Sequence, residues 1–296
     1  MNQNQSSRER RRRYHRRRAR LQRAVAVAAL LLCTVGLMQI ARHMDDQREN
    51  TDIQSPVVSS TSEEEQEENK EEEESELTAE EKLDIILSDS GEIYPEWLQE
   101  LVQVNAETID FVYYYPEYIS QSAQEIDLSQ EAAQETVPLL IQWDSRWGYE
   151  SYGDGLIGYT GCGPTCLSMV ALYLIGDANL TPLYVANWAD ASRYYVNGAG
   201  STWTLMADGC SDLGLTAQEL TLSENAMKKA LDQGMPIICN VGPGDFTESG
   251  HFLVLTGYTD EGFTLNDPNS LLRSAQIWSY ETLSSQIRCL WAYSAS

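Results

Sequence analysis

The C-terminal half of the sequence predicts an α+β domain, and three observations carry that expectation. Cys166 to Ile175 is almost wholly apolar and follows the helix-start signal Gly163-Pro164-Thr165, which marks a buried helix. Three strand-like runs come later, at Pro236 to Val241, His251 to Tyr258 and Phe263 to Asn266. A helix first and antiparallel strands afterwards is the order of an α+β arrangement, not of alternating βαβ units.

The elements before this domain differ sharply in composition. Residues 1–23 hold ten Arg against one Glu, whereas the chain beyond Arg48 holds eight Lys or Arg against 42 Asp or Glu. The formal net charge of −25 therefore combines a basic head with a strongly acidic remainder. Between them Ala24 to Ala41 is uncharged and largely apolar. As a helix it would span about 27 Å, enough to cross a hydrocarbon core. Arg runs stay on the cytoplasmic side of such a segment, so the sequence predicts a single-pass anchor over 24–41, a cytoplasmic segment over 1–23 and an extracellular C-terminal bulk. A cleaved signal peptide is the competing reading, but Met38-Gln39-Ile40 is a poor cleavage site.

Residues 45–77 have few large apolar side chains and contain two Glu-rich runs, so they cannot bury enough surface to offset ordering entropy. They read as a disordered, acidic linker. Order resumes at Thr78, which stands three residues before Glu81 at capping-box spacing. A short helix should follow and stop near Gly91. Pro95 suits the first turn of a second helix with Trp97, Leu98, Leu101 and Val102 on one face, and the apolar, aromatic stretch Ile109 to Tyr115 should end before Pro116. Residues 78–120 thus read as a helical subdomain packed on the main domain, which spans 137–296 and is long enough for a substantial core. Within it Ser223 caps a helix through Leu231 that Gly234 ends.

Histidine sorts the possible chemistry, because His15, His43 and His251 are the only three and His251 alone lies beyond the acidic linker. That argues against a histidine-rich metal site, and the five Cys outside the apolar span make no CxxC pair. No metal and no cofactor are expected. Nor is a nucleic-acid partner, since affinity for phosphate backbones rests on basic residues that the acidic domain lacks.

The best nucleophile candidate lies in Gly161-Cys162-Gly163-Pro164-Thr165-Cys166. Gly163 permits a tight turn and Pro164 presets a helix start, placing Cys162 at the positive end of a helix, where the thiolate is favoured. A buried thiol in a tight turn is the other reading of the same hexapeptide. Cys166 competes one turn further on, but it opens the apolar run and reads as core. For the base, a three-residue hairpin loop at Asp260-Glu261-Gly262 would set residues 259 and 263 opposite each other. Asp267 then faces Leu255, on the same side as His251. Parity permits a His-Asp pair, and twist or a bulge must close the remaining separation. A strand-end His beside an Asp-Pro turn is the alternative.

Taken together, Val137 to Gly148 (VPLLIQWDSRWG), Gly161 to Thr165, Leu231 to Pro236 (LDQGMP), Gly250 to Val254 (GHFLV) and Asn266-Asp267-Pro268 resemble the bacteriocin-processing-like family of papain-fold cysteine peptidases. The resemblance covers roughly residues 137–293. It implies a papain-like fold in which a helix carrying the Cys packs on an antiparallel sheet. It also implies Cys162 as nucleophile, His251 as base, Asp267 as the residue that orients the imidazole, and Gln142 as oxyanion-hole donor. Gln142 lies twenty residues before Cys162, further than in the leader-cleaving members. The implied substrate is a peptide or protein, cell-wall-associated material being one option, and an outward-facing domain argues against leader peptides cut on the cytoplasmic side. A cell-wall amidase or acyl transferase of the same fold, and a catalytically silent binding module, are the alternatives.

Overall fold

A computed structural model describes residues 77–121 and 125–296, all within one compact unit. Five strands form a single antiparallel sheet: β1 Leu215–Glu219, β2 Ile237–Val241, β3 His251–Tyr258, β4 Phe263–Asn266 and β5 Ile287–Ala295. Their spatial order is β1-β5-β2-β3-β4. Strands β2, β3 and β4 match the three strand-like runs to within one residue. β5 lies second in the order, paired to both β1 and β2, and the sequence pattern did not announce it. Cys289, Trp291 and Tyr293 enter one core while Leu290 and Ala292 enter the other. A strand buried on both faces has no polar side with which to alternate.

The helices include α1 Ala79–Ser88, α2 Glu96–Val104, α3 Ile109–Tyr113, α4 Cys162–Ile175, α5 Pro182–Ala191 and α6 Glu224–Asp232. On one side of the sheet, Cys166, Leu167, Met169 and Val170 of α4 share a core with Ile238, Phe252, Val254 and Trp291. On the other, Met227 and Ala230 of α6 pack with Ile237, Cys239, Leu253 and Leu255. The sheet is thus covered on both faces, as the apolar content of β2 and β3 requires.

Two local expectations need correction. α4 begins at Cys162, not after Pro164, so Gly163 lies inside the first turn. Its lack of a side chain serves close packing instead of a tight turn, since a Cβ there would come within 2.5 Å of Ser201 Oγ and 3.0 Å of Met206 Cε. Second, the β3–β4 register is Tyr258↔Phe263, Gly257↔Thr264, Leu255↔Leu265 and Val254↔Asn266. The loop has four residues, closed by Thr259 N–H donating to Gly262 O at 2.7 Å, and Thr256 bulges out of register. Gly262 has φ +149°, and a Cβ on it would strike Trp278 O at 2.4 Å.

The segment before the main domain is helical as the sequence suggests. Thr78 and Glu81 form the reciprocal capping box, and Leu98, Leu101 and Val102 are buried. Pro116 does not end the chain's helical course, because it lies in the first turn of Tyr115–Tyr118, where its missing N–H costs nothing. A third core holds these helices to the main domain: Tyr149 stacks on Phe111 at 4.5 Å and on Tyr118 at 4.8 Å and donates its hydroxyl to Phe111 O at 2.8 Å. No described helix is long and apolar enough to cross a membrane. The basic head, the apolar run 24–41 and the acidic linker, save its last residue, lie outside the described residues.

Candidate active site

Cys162 is the first residue of α4, with Gly161 as its N-cap. The first intrahelical bond runs from Thr165 N–H to Gly161 O at 3.0 Å, so the N–H groups of Cys162 and Gly163 precede the ladder. Cys162 is partly exposed, whereas Cys166, one turn on, is fully enclosed in the core. Burial alone would raise the Cys162 thiol, but His251, with the main-chain N–H groups of Phe252 and Gly163, outweighs it and holds the thiol below its ordinary value. Burial pushes Cys166 well above that value, and pushes Cys210, Cys239 and Cys289 upward as well.

His251 opens β3, and its Nε2 lies 2.7 Å from Asp267 Oδ1. With Nε2 taken by the carboxylate, Nδ1 is the ring nitrogen left for Cys162. Burial opposes protonation of the imidazole, but Asp267 and Cys162 outweigh it and raise the pKa. The register explains how strand and turn meet. Continuing from Val254↔Asn266, Asp267 comes level with Leu253 instead of Leu255, so the offset from His251 falls from four residues to two. The four-residue loop supplies one residue of that shift and the Thr256 bulge the other.

Asp267 is fully buried and richly bonded. Its Oδ1 also accepts Asn269 N–H at 2.8 Å, and its Oδ2 accepts Arg273 Nε–H at 2.5 Å. Burial by itself would raise the carboxyl, yet His251 and Arg273 hold it below the ordinary carboxylate range. Arg273 was not foreseen from the sequence. It lies six residues past Asp267 in the helical turn Leu271–Ser274, and only that turn brings its guanidinium back.

Gln142 is buried between the two halves of the site. Its main-chain N–H donates to Pro268 O at 2.7 Å, and its side-chain Nε2 donates to Gly158 O at 3.0 Å and Tyr159 O at 3.4 Å. Its Oε1 is buried without a partner. The structure thus brings Cys162, His251 and Asp267 together, and ties the Gln142 amide to the helical turn Ile157–Thr160 that leads into Cys162. Among the described residues, no three His, Cys, Asp or Glu gather as a metal site.

Comparison with known proteins gives a family match and several distant structural ones, two of which are described. A sequence model described as the Peptidase_C39 like family matches residues 134–295. The chain is similar to the crystallised peptidase domain of Streptococcus ComA, a bi-functional ABC transporter involved in a quorum-sensing pathway. That match has 19% identity and a TM-score of 0.39, covering 55% of this chain and all of that domain. It is also similar to a C39-like peptidase structure from Bacillus anthracis, at 17% identity and a TM-score of 0.31, covering 57% and 97% of the two chains. No curated protein matches.

Proposed function

The chain belongs to the Peptidase_C39-like family, and from that membership we propose a cysteine peptidase with Cys162 as nucleophile, His251 as acid and base, and Asp267 as the group that orients the imidazole. One observation carries the assignment of roles. Among the five described thiols, only Cys162 is partly exposed, at the start of a helix, and only it is held below its ordinary pKa, chiefly by the one histidine beyond the acidic linker.

The chemistry follows from the geometry. Cys162 Sγ, as thiolate, attacks the scissile carbonyl, and the developing oxyanion lies at the start of α4 beside N–H groups that precede the helical ladder. His251 then gives its proton to the leaving amine as the C–N bond breaks, leaving a thioester. Water attacks the thioester, with His251 taking its proton, and Cys162 departs. Asp267 stays ionised throughout, because Arg273 and Asn269 share its charge when the imidazole is neutral. Gln142 joins as an oxyanion donor through the N–H that reaches Tyr159 at 3.4 Å, the longer and weaker of its two bonds.

The Arg-rich head before Ala24 supports a single-pass anchor with the peptidase domain outside the cell, on an acidic tether. The substrate would then be an extracellular or cell-wall-associated peptide. A thiol-directed active-site probe should label the parent chain and Cys166→Ala but not Cys162→Ala. Mass spectrometry of products from peptides and wall fragments should show cleaved peptide bonds. Amide cleavage or acyl transfer without peptide hydrolysis would replace the peptidase reading, and labelling confined to Cys166 would overturn the assignment of the nucleophile.

A further inference from the structure

The turn that carries Arg273 is held from outside the matched domain. Asn105, at the end of α2, donates Nδ2–H to Asn269 O at 2.7 Å. Its Oδ1 accepts Glu107 N–H at 3.1 Å, which fixes the short turn Ala106–Thr108. From that turn the Glu107 carboxylate reaches the start of Leu271–Ser274. Its Oε2 accepts the N–H groups of Leu271 at 2.8 Å and Leu272 at 3.1 Å, and its Oε1 accepts the hydroxyl of Ser270. Ser270 Oγ in turn accepts Arg273 N–H at 3.0 Å, and Arg273 Nε–H reaches Asp267 Oδ2.

We propose that Glu107 is a positioning residue for the Cys162–His251–Asp267 site, acting through the Ser270–Arg273 turn, so that the helical segment 78–120 completes the active site instead of merely preceding it. This rests on the catalytic reading of those three residues given above. Residues 105–107 lie before the family match at 134–295, so the device belongs to this chain's own extension. The physical reason is a shortage of acceptors. The first N–H groups of a helical turn have no partner within it, and here one carboxylate satisfies two of them and the preceding hydroxyl together. Without Glu107 the turn loses the anchor that sets where Arg273 points. Asp267 then loses the partner that fixes its orientation, its Oδ1 contact to His251 Nε2 loosens, and this lost geometry outweighs the missing guanidinium charge, so the imidazolium becomes less favourable.

The test is the pH profile of Cys162 alkylation by iodoacetamide in the full-length chain, beside thermal unfolding. In Glu107→Ala the midpoint should rise by about half to one pH unit, a three- to tenfold loss of thiolate at the acidic end. Glu107→Gln, which keeps an acceptor for the two backbone N–H groups, should recover part of the shift. Leu271→Pro removes one of the same bonds from the other side: residue 271 is the first of its turn, the preceding Ser270 is extended (φ −161°), and proline fits there. It should move the midpoint in the same direction by less, and it carries the test should Glu107→Ala not fold. Tyr94→Phe loosens the segment internally, by removing the bond to Tyr113 O, and should leave the midpoint unchanged. A parent profile with no reactivity below the ~8.5 of a free thiol would sink the catalytic reading itself. A parent with that reactivity, matched by folded Glu107→Ala and Leu271→Pro, would overturn the role of Glu107 alone.

Discussion

The first and second turns of α4 each present a cysteine, and the two thiols are set in opposite directions. Cys162 stands at the helix start, faces His251 and keeps some exposure, whereas Cys166 is enclosed by Leu167, Val170 and the sheet. Both belong to one hexapeptide and one helix, but only Cys162 stands at its N-terminal end. Desolvation weighs against either thiolate, and only at Cys162 do a histidine and nearby main-chain N–H groups outweigh it.

The largest effect that sharpens this contrast is loss of turnover. Cys162→Ala should lower peptide hydrolysis by about 10⁴-fold or more with little change in stability. Cys166→Ala should keep turnover within a few fold and cost roughly 1 kcal/mol, the price of a small buried void. Peptide assays and urea unfolding on the two variants check both halves, and equal loss of activity would erase the distinction.

His251→Ala removes the cation and leaves the helix start in place. The alkylation midpoint of Cys162 should move up by roughly one to two pH units towards the ~8.5 of a free thiol. Rate measurements from acid to mildly alkaline pH decide it. Superimposable profiles would mean that the helix end alone governs the thiol, and the Cys-His pair would be abandoned.

Asp267→Asn is expected to act on both catalysis and stability. Turnover should fall by about 10²–10⁴-fold, because an amide cannot hold the imidazolium as the carboxylate does. The carboxyl of the folded chain ionises below its ordinary ~3.9. Its contribution to stability is therefore fully present above that value and is lost as the pH falls through the folded pKa. The parent should exceed the variant by about 1–3 kcal/mol at pH 7, with the gap narrowing towards pH 3. A gap that widens as the pH falls below the ordinary carboxylate value of ~3.9 would contradict the ion pairs with His251 and Arg273.

The two turns of α4 also show what a sequence discloses and what it hides. The capping box at Thr78 and strands β2 to β4 are local patterns that the structure has within a residue, and the apolar run after Pro164 is helical although its helix starts earlier, at Cys162. The α+β order was therefore legible. The position of β5 between β1 and β2 was not, since both of its faces are buried and its pattern has no polar period. The hairpin register missed by two residues, because one extra loop residue and one bulge leave no compositional mark. Cys162 and His251 could be singled out as candidates by residue type and surroundings, and parity allowed Asp267 as a partner, but the roles of all three, and of Gln142, came from the family resemblance. Arg273 and Glu107 could not be singled out, since an Arg in a surface turn and a Glu after a helix look like solvated charges until the fold brings Arg273 to Asp267 and Glu107 to the turn that carries Arg273.

The smallest expected effect concerns the other thiols and extends the contrast from one helix to the sheet. Cys239 and Cys289 lie on neighbouring strands, and the register pairs Asn240 with Cys289 and Cys239 with Leu290. They are therefore almost level, and an oxidising exterior would favour joining any pair within reach. Alternation forbids it. Cys239 points into the core shared with α6 and Cys289 into the core shared with α4, so the Cβ vectors diverge across the sheet and no disulfide geometry is accessible. All five described cysteines are free. Unfolding the chain without reductant and alkylating it should add one label at each of these five positions, and prior reduction should leave the thermal midpoint unchanged. A Cys239–Cys289 disulfide recovered by peptide mapping would mean that the two strands are paired in another register.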